Sequence, residues 1–256
     1  MDLLYLANKY ETKEFLVGDP SWFMHQINGE TNKELLAFIA SALSYGSRKQ
    51  FLPKIQSILD DINGYGFVHI NSVDTLVHDW LTEGRYNKAI PHTPSCFYRL
   101  YTYQNFNGFL TALAQMVHEY GSIKGYLIAT MQTHDALEAI KLITQWFRGH
   151  NSIGVIPKDH SSSCKRLCMF LRWMVRTNSP VDLGLWADII DQKTLIIPMD
   201  THVVQEAMRL GLLTSQSTSM ANARRLSHSL SEIFPDDPTR GDFALFGLGV
   251  DENRGI

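Results

Sequence analysis

The sequence predicts an all-α protein, and three observations lead there. Apolar residues recur at helical spacing along most of the chain. Residues that start and stop helices bracket several of these stretches. Only two short apolar runs read as strands. The chain has 256 residues, 45% of them hydrophobic and 19% charged. That is ordinary globular composition, enough for one large domain or two small ones, and it excludes low-complexity and collagen-like chains. No fixed-period repeat and no Gly/Ser linker divides it.

In chain order, Thr31-Asn32 reads as the cap of a helix over Glu34 to Tyr45, with Leu35, Leu36, Phe38, Ile39, Ala42 and Leu43 apolar, and Gly46 interrupts it. Pro53 suits the first turn of a helix from Pro53 to Ile62, which Gly64 and Gly66 should end. Further helices are expected over 72–81, 94–119, 134–147, 162–177, 182–191, 201–211, 219–233 and 239–247. Gly66 to Ile70 and Thr194 to Ile197 are the two strand candidates, the second equally an extended connector before Pro198. Gly149 to Ser161 is the longest turn-rich stretch.

Charge and cysteine content narrow the function. The net charge of −3 gives no global attraction to polyanions. Charge is nevertheless segregated. Residues 141–180 hold Lys141, Arg148, Lys158, Lys165, Arg166, Arg172 and Arg176 against Asp159 alone. Residues 231–256 hold six acids and two arginines. The basic block is a local patch of the kind a nucleic-acid contact needs. Three cysteines, Cys96, Cys164 and Cys168, cannot supply a four-thiolate metal site or a disulfide framework, so neither a metal nor another cofactor is expected. No apolar run suits a membrane span, and charges interrupt the N-terminus where a signal peptide would be apolar, so a cytoplasmic protein is expected.

The basic helix is amphipathic. At about 100° per residue, Arg172 and Arg176 fall within roughly 20° of Lys165, while Leu167, Cys168, Leu171, Met174 and Val175 occupy the opposite arc. Lys165, Arg166, Arg172 and Arg176 are therefore candidate phosphate contacts, with Ser162 and Ser163 at the helix start as caps and further contacts. Arg48 and Lys49 form a second, short basic turn. Trp146, Phe147, Trp173 and Trp186, in or beside the basic block, are candidate walls of a base pocket. Asp200, after the apolar Ile196-Ile197-Pro198-Met199, reads as a helix N-cap. A carboxylate there is held ionised, and facing the Lys165 amine it could stabilise a developing positive charge.

Pro198-Met199-Asp200-Thr201-His202-Val203 resembles the P-x-D-T-H-V segment of the helix-hairpin-helix DNA glycosylase superfamily, in which the aspartate is catalytic. Leu35 to Ser44 is similar to that superfamily's early helix, and Asp242 to Gly249 to its terminal one. Across most of its length the chain is most similar to the bacterial DUF2400 family, through Cys164-Lys165-Arg166-Leu167-Cys168-Met169-Phe170-Leu171-Arg172-Trp173-Met174-Val175-Arg176. The superfamily's nucleophilic lysine follows a glycine-rich hairpin. Here Lys165 follows Lys158-Asp159-His160-Ser161-Ser162-Ser163-Cys164, without glycines. The resemblance implies a two-lobed helical bundle over residues 1–256 with a groove between lobes, and damaged duplex DNA as partner. It implies Lys165 and Asp200 as the catalytic pair of a base-excision glycosylase with β-lyase activity on an oxidised, 8-oxoguanine-like base. A DNA-binding protein without chemistry is the alternative.

Overall fold

A computed structural model describes residues 2–69, 76–150, 152 and 154–253. In chain order its elements are α1 (Leu3–Tyr10), α2 (Glu30–Leu43), α3 (Arg48–His69), α4 (Leu76–Thr82), α5 (Tyr86–Ala89), β1 (Cys96–Tyr98), β2 (Tyr101–Thr102), α6 (Tyr103–Tyr120), α7 (Ile123–Thr130), α8 (Ala136–Gly149), α9 (Lys165–Val175), α10 (Thr201–Arg209), α11 (Met220–Ser231) and α12 (Gly241–Asn253). The chain is mostly helical, and β1 and β2 pair antiparallel as a minimal hairpin. Two compact units emerge, one of Met1–Val17, Thr133–Ile140 and Asp159–Ile256, the other of Gly18–Gln132 and Lys141–Lys158, with the division falling inside α8. Among the described residues, no helix is long and apolar enough to cross a membrane.

The unit of Gly18–Gln132 and Lys141–Lys158 is organised around α2. Leu35 to Ala40 are all buried, so this helix is apolar all round, as a core helix must be. Phe38, Phe106, Phe109 and Phe147 pack ring against ring beside it, with centroids 5.3–5.7 Å apart. Its buried polar groups act as ties. Glu34 accepts from the Ile123 amide at 2.7 Å, satisfying an orphan donor at the start of α7. Asn32 accepts from the Val77 amide at 2.8 Å and so is a core tie, while Gly29 takes the N-cap that Thr31-Asn32 was expected to hold.

Three expectations in this unit change. The helix expected over Pro53–Ile62 is the longer α3, which starts at Arg48 and continues through Gly64 and Gly66. A helix-interior glycine costs about 1 kcal/mol, and the buried stripe of Ile55, Ile58, Leu59 and Ile62 outweighs it. The strand candidate at Gly66–Ile70 is therefore helical as far as His69, and Ile70 lies outside the described residues, as do 72–75 of the helix expected over 72–81. The helix expected from 94 starts only at Tyr103, where Thr102 and Asn105 form a reciprocal capping box. Before it, the aromatics Phe97, Tyr98 and Tyr101 form the β1–β2 hairpin, whose turn holds Arg99 in the left-handed region at φ +51°.

In the other unit α1 lies along α12. Phe15 meets Phe243 and Phe246 edge-on at 4.8 and 5.1 Å. Gly247 is required here, because a Cβ would sit 2.2 Å from the Tyr10 ring. The helix expected over 182–191 is a run of turns. The physical reason is at the end of α9: the Leu183 and Trp186 amides donate to the carbonyls of Trp173 and Met174, each at 2.7 Å. Residues 183–186 thus satisfy the orphan carbonyls of α9 instead of building a helix of their own.

A candidate lysine–carboxylate site

The loop before α9 is stitched down by its own backbone. The Ser163 amide donates to the Thr218 carbonyl at 3.0 Å, and the Met220 amide to the Ser161 carbonyl at 3.1 Å. The buried Ser163 hydroxyl donates to the Met199 carbonyl at 3.0 Å. Ser163 is therefore turned inward as a tie between this loop and the residue before Asp200, a correction to its expected role as a phosphate contact. Ser162 stays exposed and bridges to Ser219. Neither serine caps α9. The capping position is Cys164, left-handed at φ +47° and without a side-chain cap bond. A non-glycine residue there costs about 1–2 kcal/mol, so the ties on either side hold a strained residue directly before Lys165.

The other half of the site comes from the buried connector Leu195–Met199, extended as the sequence allowed. Its path is pinned by the Ser227 hydroxyl, which accepts from the Ile197 amide at 2.9 Å. Asp200 then caps α10, its Oδ1 accepting from the Val203 amide at 2.9 Å. Its Oδ2 lies 2.6 Å from the Lys165 Nζ, across 35 residues of chain. The Lys165 and Asp200 side chains are 39% and 32% exposed. Burial pushes the Asp200 carboxyl up. The Lys165 ammonium, its hydrogen bond, the Val203 amide and His202 nearby pull it down further, and the balance lies below the usual carboxylate range. The arrangement is an ionised acid holding an ammonium group that water, and a ligand, can reach.

The rest of the expected cationic stripe has a different fate. Arg172 and Arg176 are buried, at 3% and 2% exposure. Arg172 pairs with Asp182 and Asp242, and Arg176 with Glu11 at 2.7 Å, Asp237 at 2.7 Å and Asp182. Phe243 lies beneath both guanidinium groups, 4.6 and 5.2 Å from them. Burial works against the charge on Arg176, but Asp182, Asp237 and Glu11 hold its pKa above the ordinary arginine value. Both arginines are structural ions and no phosphate reaches them. The helical wheel put both on one stripe with Lys165. It could not register that α12 and the 182–191 turns cover that end of the face.

The aromatic candidates are corrected too. Trp173 and Trp186 are fully buried, with Trp186 edge-on to Phe170. Phe147 belongs to the aromatic core of the other unit. Trp146 packs against Tyr120, Tyr126 and His150, and its indole N–H donates to the Ala112 carbonyl at 2.9 Å. Phe147, Trp173 and Trp186 are too enclosed to wall an open base pocket, while Trp146 is half-exposed. In that same unit Arg48 and Lys49 are exposed, Arg48 at 3.4 Å from Asp19. Arg166 is half-exposed beside Lys165.

Sequence reasoning missed the acids that neutralise the basic helix, although it had the signal. Asp237 and Asp242 come from the acidic block of residues 231–256, and opposite charge blocks in one chain are candidates to pair. It also missed a cavity of about 300 Å³ along α10, lined by Thr201, Val204, Gln205, Met208 and Gln216. Its signal was the spacing of the first four on one face of α10. Among the described residues, no group of three His, Cys, Asp or Glu side chains could hold a metal ion.

No curated protein and no solved structure matches the chain. Residues 19–251 match the model of the family described as protein of unknown function (DUF2400), and on the strength of that coverage the chain belongs to the DUF2400 family.

Proposed function

We propose that this protein is a base-excision DNA glycosylase with β-lyase activity, removing an oxidised, 8-oxoguanine-like base through a Schiff base on Lys165. The supporting observation is the 2.6 Å pair of Lys165 and Asp200 at a half-exposed position. A structural ion pair needs no such access, and a nucleophilic amine does. The P-x-D-T-H-V resemblance around Asp200 points the same way.

The chemistry begins with a nucleotide turned out of the duplex, at a cost of a few kcal/mol. Its sugar covers the pair and displaces water. Desolvation disfavours both charges and so eases transfer of the ammonium proton to the nearest acceptor, Asp200. As the bond from the base to C1′ breaks, its electron pair leaves with the base, and the ionised carboxylate faces the positive charge growing on the sugar. The Lys165 ammonium then passes one proton to Asp200, the freed Nζ lone pair bonds to C1′, and the second proton on Nζ goes to the departed base. Opening of the sugar ring leaves an imine. Loss of a C2′ proton expels the 3′ phosphate, and water finally releases the lysine.

The test is borohydride reduction in the presence of duplex containing 8-oxoguanine or a preformed abasic site. The intact protein should give a covalent adduct that Lys165→Gln abolishes. No adduct with any damaged base or abasic site would overturn the proposal. A second reading, DNA binding without turnover, draws on the burial of Phe147, Trp173 and Trp186, which leaves no aromatic face for a base among them. It predicts salt-sensitive binding and no adduct.

A further inference from the structure

With Phe147, Trp173 and Trp186 placed in the cores, these three offer the proposed reaction no seat for the base. The cavity on α10 has the features such a seat requires. Thr201, Val204, Gln205 and Met208 stand at positions i, i+3, i+4 and i+7 and so share one helix face, and Gln216 closes the side from the loop before α11. The cavity reaches Thr201, the residue directly after Asp200 in the chain, so it begins at the same end of α10 as the carboxylate that holds Lys165. Its volume of about 300 Å³ is at the small end of ligand pockets, suited to one ring system and not to an extended molecule.

The lining also sorts the chemical classes. No charged side chain lines it, so it offers nothing to a phosphate or a carboxylate. Val204 is buried and supplies an apolar wall, and the Met208 thioether is a favourable neighbour for a flat ring. The Gln205 and Gln216 carboxamides are exposed, and neither makes a side-chain hydrogen bond within the described residues. Each presents two donors and one acceptor, and Thr201 adds a hydroxyl. Donors and acceptors beside an apolar wall are the groups that suit the edge and face of a nucleobase.

We infer that this α10 cavity, walled by Val204 and Met208 and edged by Thr201, Gln205 and Gln216, receives the nucleobase of the nucleotide whose sugar lies at Lys165 and Asp200. The inference rests on the proposed lysine chemistry, and its test separates the two. The full chain and two variants, Gln205→Ala/Gln216→Ala and the cavity-filling Met208→Trp, are compared on two duplexes. One carries 8-oxoguanine and the other a preformed abasic site, and the rate of borohydride-trapped adduct is the readout. Loss of the seat should slow adduct formation on the base-containing duplex by on the order of ten- to hundred-fold. The abasic duplex has no base to seat, so it should be slowed far less. Equal rates for variants and intact protein on the base-containing duplex, or equal slowing on both duplexes, would overturn the cavity assignment and leave Lys165 as the nucleophile. An intact protein that traps only the abasic duplex would also overturn it. Failure of the intact protein to trap either duplex would overturn both readings.

Discussion

The two ends of α9 carry the same charge and share little else. At its N-terminal end Lys165 and Arg166 are half-exposed, and Lys165 meets one carboxylate, Asp200. At its C-terminal end Arg172 and Arg176 are buried and meet four carboxylates, Glu11, Asp182, Asp237 and Asp242. Lysine occupies the accessible end and arginine the buried one, as their chemistry favours. A guanidinium has five donors in a fixed fork and stays charged when buried, whereas an amine can lose its proton and attack. The same helix therefore anchors the unit at one end and holds an accessible amine at the other. Amphipathic spacing describes both ends identically and cannot distinguish them.

Substitutions should separate the ends by size of effect. Arg176→Met should cost the most stability, about 3–5 kcal/mol in urea unfolding, because Glu11, Asp182 and Asp237 would lose the partner they share. A loss below about 1 kcal/mol, the range of exposed pairs, would erase the distinction between the two ends. Asp200→Ala should come next, at about 1–2 kcal/mol, since it removes the cap of α10 along with the ion pair. Asp200→Asn sharpens this result. Asparagine caps as well as aspartate, so most of the stability should return while adduct formation stays lost. Lys165→Gln should change stability by no more than about 1 kcal/mol, as expected for a half-exposed pair, and abolish adduct formation completely.

The smallest effect concerns pH. The folded-state pKa of Asp200 lies below its unfolded value, so folding favours the ionised form. The stability this contributes is fully present above the unfolded value of about 3.9 and is lost as pH falls through the folded value. The stability difference between the native chain and Asp200→Asn should therefore be constant near neutrality and shrink in acid below about pH 4. A difference that grew on acidification would contradict the pairing of Asp200 with Lys165.

Most helices were legible because their signals are local. The apolar stripe of α9 and the capping aspartate of α10 can each be read within a few residues. The misreadings arose where a distant partner reassigned a local feature. Residues 183–186 have helical spacing, yet their amides are drawn to the end of α9. Ser163 looks like a cap, yet its hydroxyl is taken by Met199. Asn32 looks like a cap and ties α4 in the core. Trp173 and Trp186 look like a binding surface because the sequence does not say which aromatic faces will be covered.

For the candidate site, the sequence by itself determined the residue types: an amine opening an amphipathic helix and a carboxylate opening another. Helix starts and apolar faces follow from backbone hydrogen bonding and periodicity over a turn or two. Only the tertiary structure decided that Lys165 and Asp200 meet at 2.6 Å while Arg172 and Arg176 are enclosed. Charge pairing and burial depend on which segments pack together across the chain, and that is set by the summed contacts of the whole unit, not by any window of neighbouring residues.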